Sequence, residues 1–60
     1  METIIELLME RDDMSRRSAT NLVNETYDKI EDAIDSGDDP LDVLDFMLGL
    51  DEEYLSYFMI

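Results

Sequence analysis

Between Ser15 and Gly37 the apolar residues Ala19, Leu22, Val23, Tyr27, Ile30, Ala33 and Ile34 recur at steps of 3, 1, 4, 3, 3 and 1. That spacing keeps all seven on one stripe of an α-helix. A helix over about residues 16–36 is roughly 31 Å long. In a chain of 60 residues it takes up a third of the sequence, so everything else must pack around it. Ser15 is a good N-cap for it, with Asp13 as the alternative. Gly37 suits the left-handed residue that ends such a helix.

The flanking segments read as shorter helices. Thr3-Ile4-Ile5-Glu6 has the form of a capping box, opening a helix from about Ile4 to Arg11 with Ile4, Leu7 and Leu8 on one face and Ile5 and Met9 as a second ridge. Asp39-Pro40 is an N-cap followed by an N1 proline, with Asp42 near the positive helix end. That helix runs to about Leu48 on Leu41, Leu44, Met47 and Leu48, with Val43 and Phe46 to one side, and Gly49 stops it. Asp51 is placed to cap a last short helix that carries Tyr54, Leu55, Tyr57, Phe58, Met59 and Ile60. No β-type alternation, hairpin dipeptide or internal repeat occurs. The expectation is an all-α single domain over residues 1–60: a compact bundle of three to four helices with one long central helix.

Charge dominates the composition. Seventeen acids against four bases give −13, which repels DNA, RNA and anionic membranes and attracts basic protein surfaces. Charge at this density favours disorder, but a 45% apolar content placed periodically argues for a folded chain. A chain this short buries only about 60% of its unfolded surface, and without cysteine it has no disulfide to help. Association, as a homodimer or higher oligomer, is the expected support. Residues 1–10 carry acids and no basic n-region, and no apolar run suffices to span a bilayer. A soluble protein of the cytoplasm is expected.

Catalysis is hard to build from these residues. With no His and no Cys, there is neither a neutral-pH acid–base group nor a thiolate nucleophile. Ser15, Ser18, Ser36 and Ser56 lack a basic partner in the pattern, and Lys29 is expected to pair with Glu25, Asp28 or Asp32 along its own helix. The acids from Asp35 to Asp42 miss the calcium-loop spacing, since glycine stands third rather than sixth. No enzyme activity, cofactor or metal is expected.

Two surfaces remain as candidates. Glu25, Asp28, Asp32 and Asp35 stand at i, i+3, i+7 and i+10, about 4.5–6 Å apart along one helix face. Asp38, Asp39, Asp42 and Asp45 extend the row onto the next helix. Such a row resembles a phosphate backbone to a basic groove. The second is apolar and aromatic. Tyr54, Tyr57, Phe58 and Ile60, with Ile5 and Met9, offer more apolar surface than one bundle buries easily, which suggests self-association; the alternative is a terminal helix that closes the core, with Leu55 and Phe58 inward and the tyrosine hydroxyls toward solvent. Arg16 and Arg17, at the helix end where the dipole disfavours cations, are expected to pair with Asp12 and Asp13, or alternatively to contact the acidic row of a second copy.

Several segments together look familiar: Asp13-Met14-Ser15-Arg16, Ile30-Glu31-Asp32-Ala33-Ile34, Gly37-Asp38-Asp39 and Leu48-Gly49-Leu50-Asp51-Glu52-Glu53-Tyr54-Leu55. They resemble small acidic helical proteins encoded in tailed-phage and prophage genomes. The resemblance covers most of the chain from about residue 3. It departs at Ser18, flanked by Arg17 and Ala19, where those proteins usually carry the Glu of a capping box. What it implies is action inside a bacterium. Joined to the charge, the expected function is binding and inhibition of a host protein with a basic surface, such as a defence or nucleic-acid-processing enzyme. The alternative is a non-inhibitory interaction module that self-assembles through its aromatic end.

Overall fold

The structure, a computed structural model, describes residues 1–59. It contains three α-helices and a terminal 3-10 helix: α1 (Glu2–Arg11), α2 (Arg16–Ser36), α3 (Pro40–Leu48) and the 3-10 turn (Glu52–Tyr57). The chain is all-α, with α2 as the axis. Both α1 and α3 pack on α2, and the 3-10 helix packs on α3. The molecule measures 33 × 20 × 19 Å, so its long dimension is close to the length of α2.

The starts and stops follow local chemistry. The Ser15 hydroxyl accepts from the Ser18 amide at 3.1 Å. Asp13 instead takes φ +53° in the α1–α2 connection, a left-handed conformation that Asp tolerates better than most residues. At the far end of α2, the Gly37 amide donates to Ile34 O and the Asp38 amide to Ala33 O, at 3.3 and 2.8 Å. Those two bonds form a Schellman motif around Gly37, which sits at φ +82°. Asp39 then caps α3 by accepting from the Leu41 amide at 2.9 Å.

Two expected caps do not form. α1 begins at Glu2, with no side-chain cap at Met1. Thr3 therefore lies within the first turn and cannot act as its N-cap. Starting there places Glu2 at the positive helix end and within reach of Arg16. Asp51 makes no side-chain cap bond either. The six-residue segment closes with i→i+3 bonds, Tyr54 N to Asp51 O and Phe58 N to Leu55 O, as short terminal turns commonly do.

Ile4, Ile5, Leu8, Ala19, Val23, Ile30, Leu44, Leu48, Leu50 and Phe58 make the core. Thr26 belongs with them at 0% exposure, because it lies on the inward stripe of α2. Its hydroxyl donates to Leu22 O at 2.8 Å, which satisfies the polar atom within its own helix. Ile34, expected on the stripe, is instead exposed. It comes near the end of α2, at the edge of what α1 and α3 cover.

Candidate functional site

Helical geometry sets the outward face of α2. With Ala19, Val23, Thr26, Ile30 and Ala33 turned into the core, the residues on the opposite side are Glu25, Asp28, Asp32 and Asp35, and all four are exposed. Their axial separations are about 4.5, 6 and 4.5 Å. The Schellman turn and the Asp39 cap carry the chain straight from α2 into α3, which places Asp38 and Asp39 at the corner and Asp42 in the first turn beyond it. These three are exposed as well. Asp39 is partly committed, since its Oδ1 holds the Leu41 amide.

Asp38, Asp39 and Asp42 line one open groove between α2 and α3, with Lys29 on the α2 side. Lys29 is four residues beyond Glu25 and three before Asp32, so the groove adjoins the α2 row. The expected pairing of Lys29 does not occur. Among the described residues the ion pairs within 4.0 Å are Arg11–Asp12 and Arg16–Glu2. Arg16 therefore pairs with Glu2 and not with Asp12 or Asp13, and Arg17 pairs with neither. Arg11 takes Asp12 because the two are adjacent where α1 ends. The acidic row itself has no cation bound to it among the described residues.

Charge is polarised along the molecule. Up to Arg17 there are five acids and three arginines, a balance of −2; after it there are twelve acids and Lys29, a balance of −11. The layout opposes the helix dipole. α2 has no acid in its first turn, where Arg16 and Arg17 stand, and no base in its last, where Asp35 stands. Each such placement is unfavourable, and most so at low salt.

The residues expected to mediate self-association do not share one environment. Ile5 at 9% and Phe58 at 3% exposure are core residues, so their side chains are already taken up within the chain. Phe58 faces Tyr27 with ring centroids 6.4 Å apart, which fastens the chain end to α2. Met9 and Tyr54 are half-buried against the core. Tyr57 is exposed and stacks on Tyr54 at 6.3 Å. Ile60 lies outside the described residues.

The largest apolar exposure is elsewhere. Phe46 is 87% exposed, beside the acidic groove. Its signal was present in the sequence: Leu41, Val43, Leu44, Phe46, Met47 and Leu48 surround a nine-residue helix on more than one face, too many for a single packing surface. Among the described residues no group of three or more acids is arranged to hold a metal ion, and no helix is long and apolar enough to cross a membrane. Comparison with family models, curated proteins and solved structures finds no match.

Proposed function

We propose that the protein is a non-enzymatic inhibitor that binds a basic site on a bacterial host protein, in the host cytoplasm, through Glu25, Asp28, Asp32, Asp35, Asp38, Asp39 and Asp42. The observation that carries the proposal is the acid row itself: exposed, without intramolecular cations among the described residues, and ending at Asp35 against the helix dipole. On α2 such an arrangement costs the fold stability and contributes nothing to packing. Toward a basic partner it speeds encounter and selects for complementary charge. The carboxylate spacing suits a groove that otherwise receives phosphates, so the fitting targets are enzymes that handle nucleic acid. The resemblance to phage-encoded acidic proteins points the same way.

The test is capture from bacterial lysate on the tagged protein with elution by a salt gradient, followed by assay of the captured enzyme. Stoichiometric capture, release at moderate salt and inhibition relieved by excess DNA or RNA are expected. A triple variant, Asp28→Lys, Asp32→Lys and Asp35→Lys, should lose the partner while keeping its helical circular dichroism. Equal capture by that variant would rule the acidic face out.

A second reading, self-assembly through the chain end, is favoured by the exposure of Tyr57 and Met59. Under it, Tyr57→Ala would lower the oligomeric state measured by analytical ultracentrifugation and the charge reversal would not.

A further inference from the structure

Phe46 contributes nothing to the fold at 87% exposure. Along α3 it follows Asp39, Asp42 and Val43 at i+7, i+4 and i+3, so all four lie on one side of the helix. Val43 and Met47 are half-buried and lie beside it. Asp38, Asp39 and Asp42 line the same groove. An unpartnered aromatic next to three carboxylates is a composite surface: the acids attract, and the ring supplies an anchor of the kind that carries much of the affinity at interfaces.

We propose that this groove docks a basic amphipathic helix of the partner protein, with one apolar side chain seated against Phe46, Val43 and Met47 and flanking Lys or Arg residues facing Asp38, Asp39 and Asp42. The inference rests on the acidic-face proposal and adds to it the anchor and the form of the ligand. Charge decides the occupant. A second copy of this chain would bring another −13 to a groove already lined with acids, and nucleic acid is repelled in the same way. The groove, of about 370 Å³, is at the low end of small-molecule sites and open to solvent along α3, which suits a side chain presented by a helix. Lys29 sharpens the selection. It sits in the groove with no carboxylate within 4.0 Å among the described residues, so it opposes a purely cationic ligand there.

The experiment titrates the full chain, labelled with nitrogen-15, with two synthetic peptides of equal positive charge: a lysine–leucine amphipathic helix and an oligolysine. Amide shifts are mapped at low and high salt. The expected result is tighter binding of the amphipathic peptide, with shifts centred on Val43, Phe46 and Met47. Phe46→Ala should weaken that peptide by about ten- to hundredfold and leave oligolysine binding unchanged. Lys29→Ala should improve oligolysine binding. If both peptides bind equally and Phe46→Ala changes neither, the anchor is wrong and the acidic face stands. If neither binds even at low salt, both proposals fall. Shifts confined to Tyr57 and Met59, or a Phe46→Ala variant that lowers the oligomeric state without any peptide, would also overturn the docking surface.

Discussion

Arg16 clasps Glu2 across fourteen residues of sequence, Nη1 donating to Oε1 at 2.7 Å and Nη2 to Oε2 at 2.8 Å. The pair joins the first turn of α1 to the first turn of α2. It gives Arg16 a counter-charge at a helix end that otherwise disfavours it, and it places Glu2 where the α1 dipole favours an acid.

That contact predicts a pH dependence. The Arg16 hydrogen bonds hold the Glu2 carboxyl below its ordinary value of 4.5. A depressed carboxyl pKa stabilises the fold above the unfolded value, and the contribution is lost as pH falls through the folded one. Glu2→Gln should therefore be slightly less stable than the native chain near neutral pH, and the difference should close as pH drops below about 4. Both side chains are more than half exposed, so the difference is small and shrinks with salt. Paired thermal melts across pH check it. A difference that persisted in acid would show that the pair matters through packing instead.

Leu44 and Phe46 lie two residues apart on α3 with opposite fates. Leu44→Ala, at 0% exposure, should cost about 2–5 kcal/mol. For a domain of this size, with roughly 3–9 kcal/mol in total, that removes a large share of the stability. Phe46→Ala should change stability by no more than about 0.5 kcal/mol. Urea titrations followed by circular dichroism separate the two.

Asp35→Lys should raise stability by about 0.3–1 kcal/mol at low salt. It removes an acid from the negative end of α2 and supplies the base that its last turn lacks. The gain should fade as salt rises, and partner capture should weaken at the same time. A variant that is more stable and still binds fully would detach Asp35 from the functional face.

Gly37 and Gly49 sit at φ +82° and +67°. Either change to Ala should cost about 1–2 kcal/mol from backbone strain alone. No atom lies within 4 Å of a β-carbon built at Gly37, and at Gly49 the nearest is Arg11 Nη1 at an ordinary 3.8 Å. Gly37→Asn should recover part of the loss, because Asn accepts the left-handed conformation. Denaturant midpoints for the three variants check this.

The elements whose signals are local were legible in the sequence. Ser15, Gly37, Asp39-Pro40 and Gly49 bound α2 and α3 where expected, since each cap forms within a few residues of backbone. The acid row was equally legible, because helix periodicity alone turns Glu25, Asp28, Asp32 and Asp35 away from Ala19, Val23, Ile30 and Ala33. What the sequence left open was decided by which surfaces the other helices cover. Thr26 is buried because packing on the inward stripe of α2 encloses it, and its hydroxyl finds Leu22 O. Ile5 joined the core, though helix periodicity placed it with Tyr57 at a surface, and Phe58 took the inward of the two positions that the sequence left open. Phe46 stayed outside because α3 has one packing face, and Leu44 and Leu48 occupy it. Ion pairing followed the same rule: Arg16 reached past Asp12 and Asp13 to Glu2, a contact fixed by how α1 lies on α2. Periodicity and caps act along the chain and can be read there. Which apolar side chain is buried and which is left for a partner is a competition for area between helices, and only the folded arrangement resolves it.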